Sequence, residues 1–91
     1  MSPDSRSSIS LAKTLCFLSE GFEFETVEEK DGKATVIKFD FNNPYYNAGD
    51  VLVIMDGEEI TFHGMIEVIE EGYAIAADRR GSLLPARAQN A

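Results

Sequence analysis

The dipeptide Asp-Gly occurs twice, at Asp31-Gly32 and Asp56-Gly57, each time between two apolar-rich runs. No other feature limits the fold as strongly. Asp and Gly tolerate the positive φ of a type I′ turn, whose twist matches that of paired antiparallel strands. Each dipeptide therefore predicts a β-hairpin.

Phe22 to Phe41 forms the first. A two-residue turn at Asp31-Gly32 sets Lys30 opposite Lys33, Val27 opposite Val36, Phe24 opposite Phe39 and Phe22 opposite Phe41. Phe22, Phe24, Ile37, Phe39 and Phe41 then share one face, where aromatic cross-strand pairs are stabilising. Glu23, Glu25, Glu29, Lys38 and Asp40 share the other. Such alternation belongs to a strand pair with one dry and one wet side.

The second hairpin is centred on Asp56-Gly57. The same turn sets Met55 opposite Glu58, Val53 opposite Ile60 and Val51 opposite Phe62. This predicts a core face of Val51, Val53 and Met55. It leaves Leu52 and Ile54 on the opposite face, as the expected subunit interface. The run Val51–Met55 is apolar on both sides, as in a strand covered twice. The return strand, from Glu58 to Ile69, exceeds the usual ~5–6 residues, and Gly64 in its middle permits a sharp bend. Ile60, Phe62, Ile66 and Val68 are expected on one face. Glu70-Glu71-Gly72 reads as a turn into Tyr73–Ala77, whose small alanines suit a crowded interior. Gly81–Leu84 reads as a short last strand ended by Pro85.

Upstream, residues 1–7 are Ser-rich and expected to be disordered. Ser8 or Ser10 can cap a helix with Leu11, Leu15 and Leu18 on one side, and Gly21 is placed to end it. Residues 85–91 read as a frayed tail. A chain of 91 residues argues for one domain, here 8–84, and its modest core favours oligomerisation. The fold expected is mainly β: about five strongly bent antiparallel strands closing into a small barrel, with an N-terminal α-helix.

Charge excludes some partners. The net charge is −8, and residues 20–78 hold fifteen acids against three lysines, with the remaining cations near the ends. An acidic body repels polyphosphate at long range and argues against nonspecific nucleic-acid binding. The single cysteine, Cys16, forbids an intrachain disulfide and reads as a buried apolar residue. No run is long and apolar enough for a membrane span, and the N-terminus lacks a signal-peptide pattern, so a cytoplasmic setting is expected.

Catalytic signatures are missing. His63 is the sole histidine and is read as structural, no nucleophile-elbow pattern occurs, and the carboxylates nominate no acid–base pair. Asp40, Asn42, Asn43, Asn47 and Asp50 begin like a calcium loop, but Tyr45 stands where glycine is needed and Val51 where a bidentate glutamate is needed. The chain is therefore read as non-enzymatic, with no cofactor and no metal.

What remains is the loop Asn42–Gly49 with Tyr45 and Tyr46, and Arg79-Arg80-Gly81 late in the chain. Arg80-Gly81-Ser82-Leu83-Leu84 resembles the Arg-Gly motif before a short apolar strand in the Sm/LSm small β-barrels. Asp40 through Asn42 and Asn43 to Tyr46 loosely resembles that family's other RNA-contacting loop. The resemblance implies a homo-oligomeric ring that binds single-stranded RNA or DNA through Asn42, Asn43, Tyr45, Tyr46, Arg79 and Arg80. The alternative expectation is a purely structural assembly protein, a small acidic barrel of virion or tail type, whose oligomer is its function.

Overall fold

The structure, a computed structural model, describes residues 12–86. Six strands follow one another: β1 (Thr14–Leu18), β2 (Glu25–Lys30), β3 (Lys33–Asp40), β4 (Val51–Asp56), β5 (Glu59–Glu70) and β6 (Tyr73–Ala77). They form one sheet in the order β1-β4-β5-β6-β3-β2. Every pairing is antiparallel except that of β1 with β4. Among the described residues there is no helix, and so none long and apolar enough to cross a membrane.

A single sheet has no second layer to cover it, so its apolar face must cover itself. Ile37 and Phe39 of β3, Leu52 and Ile54 of β4, Phe62 and Ile66 of β5, and Ala74 and Ala76 of β6 form one buried cluster. The sheet is curled tightly enough for Phe17 of β1 to reach Phe39, four strands away, with ring centroids 6.2 Å apart. Phe22, between β1 and β2, stacks on Phe17 at 4.7 Å. The backbone ladder itself ends at β1 and β2. Among the described residues phenylalanine packing, and not a further strand pair, brings those ends together.

The first hairpin follows its expected frame. Lys30 faces Lys33, Glu25 faces Lys38, and Asp31-Gly32 has φ of 53° and 80°, as a type I′ turn requires. Between these points two bulges offset each other, leaving Val27 and Thr35 unpaired in the ladder. Val27 is consequently exposed instead of facing Val36, and the Thr35 hydroxyl donates to the Glu28 carbonyl. Phe24, Ile37, Phe39 and Phe41 are buried as expected.

The second hairpin corrects the sequence reading. Asp56 pairs with Glu59, so the turn is Gly57-Glu58 and not Asp56-Gly57. Gly57 alone of the two has positive φ, 65°, which is the pattern of a type II′ turn. A bulge follows at Thr61, whose hydroxyl donates to the Ile54 carbonyl, and Phe62 comes to face Ile54 instead of Val51. That offset is odd, and an odd offset moves a strand's side chains to the other face. Leu52 and Ile54 are therefore fully buried in the core of the single chain and are not on an outer face awaiting a subunit. Val51, Val53 and Met55 point outward. The bulge also separates exposed Ile60 from buried Phe62, and a second one at Glu67 turns Val68 outward and Ile69 toward the core. Gly64 fits the bend for a steric reason: a Cβ there would lie 2.7 Å from the Ala77 carbonyl carbon, inside contact distance of backbone.

The expected N-terminal helix is replaced, over its described part, by β1. Leu15 and Phe17 turn inward, while Thr14, Cys16 and Leu18 are exposed. Ser8, Ile9, Ser10 and Leu11 lie outside the described residues. Leucines at 15 and 18 fit a helical face, but Leu15 and Phe17 also fit a strand. The open ladder edge of β4 supplies backbone partners and burial, which outweigh a weak propensity. Cys16, expected to be buried, is exposed for the same reason.

Candidate functional site

Three surface features concentrate the chemistry. The first is the loop between β3 and β4, which is moored by Asp50. One Asp50 carboxylate oxygen accepts the Lys13 backbone N–H at 3.0 Å and the other accepts that of Asn47 at 2.8 Å. The Lys13 ammonium lies 3.6 Å away. The N–H groups of Asn47 and Lys13 lower the Asp50 pKa; partial burial opposes them, and the Lys13 charge adds to them. Asp50 thus ties the start of β1 to the end of the loop, and its own carbonyl accepts the Ile66 N–H of β5. Asn43 folds back, its side-chain oxygen accepting the Tyr45 N–H at 2.9 Å. Tyr45 and Tyr46 meet edge to face with centroids 5.2 Å apart, and Tyr46 also leans on Phe41. The Lys13 ammonium sits 5.0 Å from the Tyr45 ring centre and 6.0 Å from that of Tyr46. Tyr45 remains 66% exposed.

The second feature is an excursion in the lane of β6. Ala77 pairs with Val36 of β3 and Met65 of β5, and there β6 stops. The lane then resumes: Leu83 N–H donates to Thr61, Leu84 accepts from Ala34, and Pro85 bridges Lys33. The expected last strand is thus a short patch that refills the gap between β5 and β3, with Leu84 in the core. Residues 78–82 loop out between the two parts. Side chains pin both ends. The buried Asp78 carboxylate accepts the His63 backbone N–H at 3.1 Å, and the Ser82 hydroxyl donates to the Ala34 carbonyl. At its tip Arg79 is held by two carboxylates, Glu67 at 3.1 Å and Glu28 at 3.2 Å. The hydrogen bond and charge of Glu67 raise the Arg79 pKa above its ordinary value. Arg80 is exposed and has no ion-pair partner among the described residues.

The third feature is the outer face of β1, β4 and β5. Register aligns Thr14, Cys16 and Leu18 with Val51, Val53 and Met55, and these with Met65, His63 and Ile60. None of the nine positions is acidic, lysine or arginine. All are exposed or half-buried, in a chain with sixteen acids. The outer side of β2 and β3 is the opposite, with Glu25, Glu28, Lys38 and Asp40.

The residues expected to bind nucleic acid are therefore divided. Asn42, Asn43, Tyr45 and Tyr46 follow Phe41, whose N–H donates to Gly72 at the start of β6, whereas Arg79 and Arg80 follow its far end. Lys13, absent from the sequence reading, joins the tyrosines because β1 is a strand and not a helix. The outward Val51, Val53 and Met55 were legible as one half of a two-faced apolar run; the bulge at Thr61 decided which half. Among the described residues no cluster of three or more His, Cys, Asp or Glu side chains is arranged to hold a metal ion. No protein-family model, curated protein or solved structure matches this chain.

Proposed function

We propose that this chain is a self-associating assembly module, and that a second copy covers the outer face of β1, β4 and β5. The observation that carries the reading is the uncharged three-by-three patch centred on Val53. Strands ~4.8 Å apart rising ~3.3 Å per residue make its footprint roughly 15 Å on a side. A standard interface buries ~800 Å² on each partner, so the patch serves as the dry centre and needs a polar rim around it. Two bodies of charge −8 repel almost everywhere else, and an uncharged face is where they can approach without opposing like charges. A two-fold pair brings the same patch against itself. The Sm-like resemblance extends such contacts into a ring.

Light scattering over a concentration series tests this directly, since the mass should rise above 10.0 kDa. Val53→Lys places a charge at the patch centre and should weaken association at least tenfold while leaving the melting temperature of the monomer in place. A chain that stays monomeric up to ~100 μM, weaker than ordinary specific association, overturns the proposal.

A second reading is favoured by Lys13 above Tyr45 and Tyr46, an aromatic pair with a cation at hand. Exposed tyrosines stack bases at ~1–3 kcal/mol each, which suits single-stranded RNA or DNA. Tyr45→Ala is the clean variant, because Tyr45 is exposed while Tyr46 packs on Phe41. Anisotropy of a labelled oligonucleotide at ~50 and ~150 mM salt should show binding that this variant weakens tenfold; silence at both salts removes the reading.

A further inference from the structure

The excursion at residues 78–82 is a fixed structure with an unspent cation. Asp78 and Ser82 fasten its ends to β5 and β3, so Arg79 and Arg80 project from a rigid base. Arg79 is consumed by Glu28 and Glu67. Arg80, in an acidic chain, has no such partner among the described residues. It lines two adjoining clefts. One, about 350 Å³, runs between Ile60–His63 and Asp78–Leu83. The other, about 310 Å³, runs between Val51, His63–Met65 and Ala77–Arg80. They share three side chains: His63, Asp78 and Arg80.

We infer that this double cleft binds a small organic anion, a carboxylate or phosphate carried on an apolar body. Arg80 offers a planar fork of donors matched to either oxyanion. His63 lines both clefts as well, with a ring that can donate. Exposed Ile60 and Leu83 line the first cleft and Met65 the second, giving the apolar body a place on either side of the charge. Asp78 is the one acidic group in both linings. One of its oxygens accepts the His63 backbone N–H, so it holds the cleft wall in place, and its charge is the repulsion that Arg80 must outweigh. The walls are a strand of the main sheet and a pinned loop, so binding requires little ordering of the protein.

The probes are phenyl phosphate and benzoate, with inorganic phosphate and acetate as the bare anions. Each is titrated into the intact chain while backbone amide resonances are followed. The organic anions should give saturable shifts at His63, Met65, Gly81 and Leu83, at a midpoint independent of protein concentration. Their midpoints should lie at least tenfold below those of the bare anions. The relative strength of phenyl phosphate and benzoate then separates phosphate from carboxylate as the preferred group. Arg80→Gln should raise the organic-anion midpoint at least tenfold with the spectrum otherwise preserved, and Arg80→Lys should restore part of it. Three results overturn the inference: no saturable shift, equal midpoints for bare and organic anions, or an unchanged midpoint in Arg80→Gln. Because Val51, Ile60, His63 and Met65 also belong to the face that a second copy would cover, the titrations are run at a protein concentration at which light scattering reports the monomer, so that anion binding and self-association are read separately.

Discussion

Replacing Gly64 with alanine adds one methyl group at the least forgiving point of the sheet. Its Cβ would stand 2.7 Å from the Ala77 carbonyl carbon, closer still to the carbonyl oxygen, and 2.9 Å from the Phe62 ring. Ordinary contacts begin at ~3.5 Å, so β5 and β6 would have to part by about an ångström. Phe62 is fully buried. Parting strains the pairings of Met65 with Ala77 and Ile66 with Ala76. Two weakened backbone hydrogen bonds account for ~1–3 kcal/mol, and overpacking in a core adds a further ~1–3 kcal/mol. The expected loss is thus about 2–6 kcal/mol, a large share of a total stability of ~5–15 kcal/mol. At ~4–8 °C per kcal/mol the melting temperature should fall by at least about 8 °C. Urea denaturation followed by circular dichroism gives the free energy directly. Gly57→Ala is the control: its φ is 65° but nothing lies within 4 Å of the added carbon, so it should lose only ~1 kcal/mol. If Gly64→Ala is no worse than Gly57→Ala, the steric account of the bend is wrong.

Other outcomes follow from the same packing. Leu52→Ala should destabilise the single chain by ~2–5 kcal/mol, because Leu52 is in its core; an effect on association without one on unfolding would restore it to an outer face. Asp50→Asn concerns pH: the folded-state pKa is depressed, so the stabilisation is complete above the unfolded value near 3.8 and fades as pH falls through the lower folded value. The variant should therefore lose stability at neutral pH and lose less of what remains on acidification, as urea midpoints between pH 7 and pH 2 would show.

The sequence by itself determined the β character, the first hairpin and its phenylalanine face, the turn after Glu70 and the room for a bend at Gly64. These rest on local rules: positive φ at Asp-Gly, alternation across a pleat, and the missing side chain at a bend. It also showed that Val51–Met55 is apolar on both faces. Which face is core was beyond it, because the one extra residue at Thr61 sets Phe62 opposite Ile54 and so reverses the answer. The fate of Thr14–Leu18 was likewise tertiary, since a short apolar segment takes the form that a distant partner, here the open edge of β4, makes favourable. The site divided along the same line. The tyrosine loop and the arginine pair were visible as residues, but Lys13 joined the former and Glu28 with Glu67 took Arg79 from the latter only when strands remote in sequence came together. Among the described residues that closure gives Arg80 no ion-pair partner, and ion pairing across a sheet cannot be read from spacing along a chain.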